Sequence, residues 1–196
     1  MTSDLSRILR LFGETLQNPA DVANRIKSIR APHEAGWMVL AFGTIAVVIL
    51  LHLERLIPGS AAQTSGLGGT PFIDVVILGA LSAMMVFVFY WIGRSMGGKG
   101  TFGATLAIMA WFQILVLFLV VIQVIAEILV PPLAGIVAIV SFVVQVFCLV
   151  HFVNVLHEFD SLPKSAVLLV ASIIGLGFGL ALIVLIIGGV AVAGGV

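Results

Sequence analysis

Five long apolar stretches constrain this chain more than any other feature of its sequence. Each is about as long as the ~20 residues that a helix needs to cross the hydrocarbon core of a bilayer. None alternates apolar and polar residues as the strands of a membrane barrel do. We therefore expect an all-α, polytopic membrane helix bundle with five transmembrane helices. The predicted spans are residues 37–57, 72–93, 104–126, 133–156 and 165–190.

Composition supports lipid as the solvent of most of the chain. Hydrophobic residues make up 61% of the 196 residues and charged residues only 9%, which is far from the balance of a water-soluble domain. The single cysteine, Cys148, excludes an internal disulfide bond. The first 35 residues lack the apolar core of a cleavable signal peptide, so we expect the N-terminus to be retained.

Turn-forming sequence separates the apolar stretches. A Gly/Ser/Ala-rich loop follows the first stretch, a glycine turn the second and a short polar turn the fourth. Between the third and fourth stretches, the only interruptions are Glu127 and the Pro131–Pro132 pair. One straight helix through that region would be far longer than a bilayer is thick, and paired prolines block a helix. Two antiparallel spans are expected there.

The distribution of charge predicts the orientation of the bundle. Basic residues favour the cytoplasmic side of a membrane, and of the nine Lys and Arg residues only Arg55 falls outside the N-terminal segment and the second and fourth connections. We predict a cytoplasmic N-terminus and an outside C-terminus. Trp37 and Trp91 lie at the cytoplasmic ends of spans, as interfacial anchors do. Trp111 lies deeper and is either an anchor or a packing residue.

Residues 1–35 form a cytoplasmic amphipathic segment, separate from a transmembrane domain at 36–196. Residues 3–17 place their apolar side chains on one helical face, and a second short helix is predicted from the cap Asn18 and Pro19 up to Pro32. Two interpretations remain open: a helix pair in the headgroup region, or a docking surface for a cytoplasmic protein. The residues that form this lipid or partner surface are Arg7, Arg10, Phe12, Lys27 and Arg30.

The sequence GRSMGGKGTF at 93–102 resembles a phosphate-binding P-loop but lacks its essential parts. A P-loop needs Ser or Thr directly after its lysine and a β-strand before the loop. Here Gly100 follows Lys99, and an apolar span precedes the loop. The stretch instead predicts a tight cytoplasmic turn through Gly97, Gly98 and Lys99, with Thr101 as the N-cap of the third span.

Several runs of this chain resemble the Yip domain family, five-span membrane proteins named for interaction with Ypt/Rab GTPases. These are GGKGTFGATLAIMAWFQIL, VPPLAG, VHFVNVLHEFDSLPKSAVLLV and, before the first span, LQNPADVANRIKSI. The likeness is strongest to the short bacterial members, which implies a bacterial inner membrane. It also implies a cytoplasmic N-terminus and, from the eukaryotic relatives, a role in trafficking or membrane shaping. The long cytoplasmic region and acidic-tyrosine motifs of those relatives are missing, so Rab binding is not expected.

Polar residues within apolar spans are the default candidates for function. His151, Asn154 and Glu158 are spaced to share one stripe of the fourth span and form a candidate functional site; interhelical hydrogen bonding is the alternative. His157 lies on a different face from His151, so the two do not predict a metal pair. Gln113, Gln123 and Gln145 are expected to hydrogen-bond between helices.

A second polar group lies at the outer ends of the spans and comprises His52, Glu54, Arg55, Asp74 and Glu127. We interpret it as structural, with most members close enough to the interface to reach water. Asp74 in particular follows a predicted cap at Thr70 and a helix-opening Pro71, where a carboxylate complements the helix dipole.

Small residues recur at every fourth position in two spans. Gly79 and Ala83 form one such stripe, and Ala171, Gly175 and Gly179 form the other. Stripes of this kind allow close helix packing. They either seal the monomer or pair two copies as a homo-oligomer.

No catalytic, cofactor-binding or metal-binding arrangement is evident, so we do not expect an enzyme, a cofactor or a nucleic-acid partner. The favoured function is a membrane-organising scaffold or adaptor for other membrane or cytoplasmic proteins. The alternative is a small-solute or ion transporter or channel that uses the stripe at the cytoplasmic end of the fourth span.

Overall fold

The computed structural model describes residues 2–29, 31–57 and 69–193, and within them all side chains except those of 2–5, 7–9 and 179–193. Seven helices and no strand run through these residues, which confirms the all-α prediction. The helices are α1 (Thr2–Gln17), α2 (Pro19–Ser28), α3 (His33–Arg55), α4 (Pro71–Ser95), α5 (Phe102–Leu129), α6 (Pro131–His157) and α7 (Leu162–Ala193).

Four helices, α3 to α6, are long and apolar enough to cross a membrane, within the part of the chain that the structure describes. In α7 the side chains are described as far as Phe178, and that part is also apolar. The prediction of a polytopic helix bundle is confirmed. The prediction of a fifth span falls partly on residues whose side chains lie outside the described part.

The helix starts follow local sequence signals. The Thr70 hydroxyl accepts a hydrogen bond from the Ile73 amide at the start of α4, and Thr101 accepts one from Ala104 at the start of α5. Pro131 opens α6 directly after Val130. The proline pair therefore begins α6 as well as ending α5. Prolines are tolerated at a helix start because the N–H groups of the first turn have no partner within the helix.

Helix α5 lies at the centre of the bundle and packs against α3 on one side and α6 on the other. One core cluster draws on α3, α4, α5, α6 and α7 and includes Phe89, Leu106 and Val153. A second cluster joins α5 and α6 to the N-terminal helices through Ala23, Leu115 and Phe152. The N-terminal helices are thus part of the packed core.

The N-terminal helices lie against the side of the spans. The Trp111 indole N–H donates to the Thr15 hydroxyl at 3.2 Å, and the Cys148 thiol lies 3.7 Å from the Thr15 carbonyl oxygen. Trp111 and Cys148 are each nine residues from the nearer end of α5 and α6, which is roughly 14 Å along each helix. This contact assigns Trp111 a packing role. It also places Thr15 beside the membrane-crossing helices.

Close helix packing occurs at glycines other than those in the predicted stripes. A Cβ atom on Gly36 would lie 2.7 Å from Leu106, and one on Gly43 would lie 2.5 Å from the Gln113 side chain. These contacts fit α3 tightly against α5. At Gly79 a Cβ would meet open space, and at Gly175 it would meet only Ile92, at 3.8 Å. The stripe prediction at Gly179 lies outside the described side chains.

Candidate functional site

The candidate site is a cluster of polar side chains where α2, the α4–α5 turn and the α6–α7 turn meet. We call it the polar junction. It brings together elements that are far apart in the sequence, because α6 ends at the place where α2 and the α4–α5 turn also reach the end of the bundle. Its members are Lys27, Lys99, Asn154, His157, Glu158, Ser161 and Ser165.

Asn154 joins the end of α6 to the start of α7. Its side-chain oxygen accepts hydrogen bonds from the Ser161 amide at 3.0 Å and from the Ser165 hydroxyl at 3.2 Å. The Ser161 hydroxyl accepts from the Lys164 amide at 3.4 Å, which is the pattern of an N-cap. The polar group of Asn154 is therefore used to fix the angle between two helices.

Glu158 lies just beyond α6 in a left-handed conformation, with φ 54°. This conformation is unfavourable for residues with a side chain, and it turns the chain away from the helix axis. Asp160 has φ 49° and continues the same tight turn. Glu158 is thus placed by the turn, which differs from the predicted helical stripe.

The Glu158 carboxylate lies between two lysines from other parts of the chain. The Lys27 ammonium of α2 donates to Oε1 at 2.7 Å, and the Lys99 ammonium of the α4–α5 turn lies 3.4 Å from Oε2. The hydrogen bond from Lys27, helped by Lys99, holds the pKa of Glu158 below its ordinary value. Lys27 also donates to the Val155 carbonyl at 3.2 Å. One carboxylate therefore links α2, the α4–α5 turn and the end of α6.

Glycines of the last turn of α4 and of the α4–α5 turn pack around the imidazole of His157. A Cβ on Gly93 would overlap the ring, and one on Gly98 or Gly100 would lie 2.5 Å or 2.9 Å from it. The ring stacks on Phe159 with centroids 5.3 Å apart. The Phe89 backbone lies near the ring. Neither ring nitrogen makes a hydrogen bond of ordinary distance and angle with the described residues. His157 therefore acts as a large packing side chain.

This arrangement explains the P-loop-like sequence. Gly97 has φ +82°, as the predicted tight turn requires, and Thr101 caps α5 as predicted. The Lys99 amide donates to the His157 carbonyl at 3.0 Å, so the turn is held directly to the end of α6. The glycines admit a side chain of the same protein where a P-loop would admit a phosphate.

The structure does not group His151 with Asn154 and Glu158. Nδ1 of His151 lies 2.8 Å from the Phe147 carbonyl one turn earlier, and its ring packs on Phe147. Both contacts are within α6. Of the predicted stripe, only Asn154 and Glu158 belong to the polar junction.

The residues predicted as a lipid or partner surface divide into three groups. Phe12 packs on Phe118 with ring centroids 4.9 Å apart, and Lys27 belongs to the polar junction, so both face the bundle. Arg10 is exposed and pairs with Glu14 at 3.0 Å. The side chain of Arg7 and the whole of Arg30 lie outside the described residues.

The outer polar group is more deeply buried than the sequence suggested. Glu54, Asp74 and Glu127 are 2%, 2% and 5% exposed, so the expectation that most members reach water is wrong for the acids. Asp74 lies 3.6 Å from His52 and 3.7 Å from Arg55. Two helix ends are joined by this charge cluster.

Gln123 hydrogen-bonds to Glu54 and so joins α5 to α3. This is the interhelical use that was predicted for the glutamines. Gln113 also lies between these two helices, where its side chain packs against Gly43.

Sequence reasoning missed His157 and Lys27 as members of the site. The signal for His157 was the repeated glycine at 93, 98 and 100, which marks a place where another group comes close to the backbone. No comparable signal existed for Lys27, because its partner Glu158 is 131 residues away. Only the folded arrangement of α2 brings them together.

Comparison with known families covers the whole of the polar junction. The Yip1 domain model matches residues 13–194, a range that begins in α1 and includes every member of the junction. No curated protein and no solved structure matches the chain. The long apolar helices and the extent of the family match give one conclusion: the chain is a multi-pass membrane protein and belongs to the Yip1 domain family.

Proposed function

We propose that this protein is a non-enzymatic membrane scaffold that presents α2 to other membrane or cytoplasmic proteins. The observation that carries the proposal is the two-sided character of α2. Val22 and Ala23 are buried against the bundle, whereas Asp21, Asn24, Arg25 and Ser28 are exposed on the other side. These four residues share one helical face, which we call the α2 face.

The polar junction supports this proposal because it fixes α2 in place. Lys27 is bonded to both Glu158 and the Val155 carbonyl, and it follows Ile26, which packs into the second core cluster. A surface that is held rigidly before binding loses less conformational entropy when a partner docks. The polar side chains of the junction bond to other elements of the same chain, which is the use expected of a structural support.

The proposal includes an orientation and a location. The excess of basic residues on the N-terminal side supports a cytoplasmic α2 face. The resemblance to the short bacterial members of the family supports the inner membrane of a bacterium. Reporter fusions to the two chain ends test the orientation. Opposite compartments are expected, and the same compartment for both ends would contradict it.

Site-specific photo-crosslinking in intact cells tests the scaffold role. A photoreactive residue is placed at Asn24 or Ser28 on the α2 face, and at the exposed Ile139 of α6 as the lipid-facing control. Discrete protein adducts are expected from the α2 face and not from Ile139. Lys27→Met should weaken the adducts because it releases α2. Adducts to lipid alone from all positions would overturn the proposal.

A transport function is the second candidate, and the buried outer acids favour it. Ionisable residues within membrane-crossing helices often mark ion pathways, and Glu54 and Glu127 are such residues. The test is ion or proton flux into vesicles that contain the purified protein, with Glu54→Gln as the variant. Flux that is lost in this variant would establish transport, and absence of flux for all cations tested would remove it.

A further inference from the structure

An apolar cavity of about 180 Å³ lies between the N-terminal segment and helices α3 and α5. Small residues lie along both walls: Gly103, Ala107 and Ala110 on α5, and Ala35 and Gly36 on α3. Residues 103, 107 and 110 follow the spacing of a single helical face. The cavity is therefore a slot that runs along the two helices.

The lining offers almost nothing that could hold water. A buried water needs two to four polar partners. The polar side chains in the lining are His33 and Trp111, and the Trp111 N–H already donates to Thr15. The His33 ring packs edge-on against Phe102. An apolar molecule is the occupant that this lining favours.

The length and small volume of the slot favour a long, thin molecule. From Gly103 to Ile114 the lining extends over eleven residues of α5, which is about 16 Å and close to half of a hydrocarbon core of about 30 Å. A helix of that length, about 10 Å wide with its side chains, would occupy on the order of 1,200 Å³, which is about twice the whole empty volume of about 610 Å³ in and around the slot. The slot admits an unbranched hydrocarbon chain but not a helix.

The slot opens among helices that the membrane surrounds. Helices α3 and α5 both begin at one end of the slot, at His33 and Phe102. The surrounding solvent of α3 and α5 is the membrane itself, so phospholipid is present at high concentration.

We propose that this slot binds one acyl chain of a membrane phospholipid. The bound chain would fill the space between the N-terminal segment and the spans. This inference does not depend on the scaffold role, because it concerns a different surface from the α2 face.

Trp111 lines the slot and provides a direct probe. The full chain is purified and delipidated in a non-quenching detergent as the double variant Trp37→Phe/Trp91→Phe, so that Trp111 is the only tryptophan. Phosphatidylglycerol with brominated acyl chains is then titrated, since bromine quenches tryptophan fluorescence on contact. We expect quenching that saturates at one lipid per chain and is reversed by unbrominated phosphatidylglycerol.

Two slot variants and one matched control complete the test. Ala107→Phe should fill the slot and weaken the saturable quenching about tenfold; Ala35→Leu serves the same purpose if Ala107→Phe does not fold. In the control only Trp91 is kept, which is 66% exposed on the outer surface of the bundle and should show no saturation. The proposal would be overturned if quenching of Trp111 rose linearly with lipid, or if it were unchanged in folded Ala107→Phe. It would also be overturned if fatty acid displaced the brominated lipid and phospholipid did not.

Discussion

The Lys27 ammonium donates a 2.7 Å hydrogen bond to the Glu158 carboxylate, which lies 131 residues away in the sequence. This bond connects the N-terminal helix pair to the turn between the last two helices. Both residues lie at one end of the bundle, where the bond joins α2 to the end of α6. It adds to the buried packing of Val22 and Ala23 that also holds α2 against the bundle.

Removing this bond should loosen the N-terminal helices. Cys148 is fully buried beneath Thr15, so its reaction with a small membrane-permeant maleimide reports the opening of that contact. Lys27→Met is expected to raise the labelling rate severalfold. Arg10→Met, which removes only an exposed ion pair within α1, is the control and should leave the rate unchanged. Equal rates for Lys27→Met and the unaltered protein would show that the bond does not hold α2.

Acid should weaken the polar junction through Glu158. Lys27 and Lys99 hold the pKa of Glu158 below its ordinary value of 4.5, so its charged form is favoured by folding. The resulting stability is fully present above pH 4.5 and is lost as the pH falls through the lower, folded-state pKa. The Tm in detergent should therefore fall below pH 4.5, and by less in Glu158→Gln. Glu34→Gln, at an exposed position, is the control; an identical acid response in Glu158→Gln would contradict the prediction.

The glycines around His157 should resist substitution. Gly93→Ala forces a methyl group into the imidazole and should cost about 1–3 kcal/mol of unfolding free energy. The cost should shrink in a His157→Ala background, since the obstructing ring is then absent. Thermal unfolding in detergent measures all three variants. Gly79→Ala is the control and should leave the unfolding free energy unchanged, because a Cβ there meets open space. If the costs of Gly93→Ala and His157→Ala were additive, the two residues would not be in direct contact.

The outer charge cluster should be structural at Asp74. Its carboxylate is 2% exposed and faces both His52 and Arg55. Removing one member of a buried ion pair leaves the others uncompensated, so Asp74→Ala should cost about 3 kcal/mol. Asp21→Ala, at an exposed position of the α2 face, is the comparison and should cost well under half as much. A small loss at Asp74, measured by thermal unfolding, would show that the cluster does not hold α3 to α4.

Local signals in the sequence were sufficient to predict the helices and several of their ends. Thr70, Thr101 and the glycine turn at Gly97 behave as expected because caps and tight turns depend on a few neighbouring residues. The fourth connection was also recognised as a turn. Its left-handed residues Glu158 and Asp160 were not, because neither is a glycine.

The packing partners could not be predicted in the same way. Small residues at Gly36 and Gly43 carry the close contact of α3 with α5, whereas the more regular stripe at Gly79 does not pack tightly. Spacing alone identifies a small face but not the helix that it meets. The positions of Phe12 and Lys27 could not be predicted for the same reason. An amphipathic helix has the same sequence pattern whether its apolar face meets lipid, another protein or the rest of its own chain.

The junction of α5 and α6 has a consequence for how the protein sits in its bilayer. A single residue, Val130, separates the two helices, and Pro131 and Pro132 follow it. Prolines carry no N–H group, so this hairpin tip exposes fewer unsatisfied donors than an ordinary turn. The neighbouring side chains of Ile128, Leu129 and Leu133 are exposed and apolar. The tip can therefore lie at the hydrocarbon boundary, so that α5 and α6 cross the membrane in opposite directions with no polar loop between them.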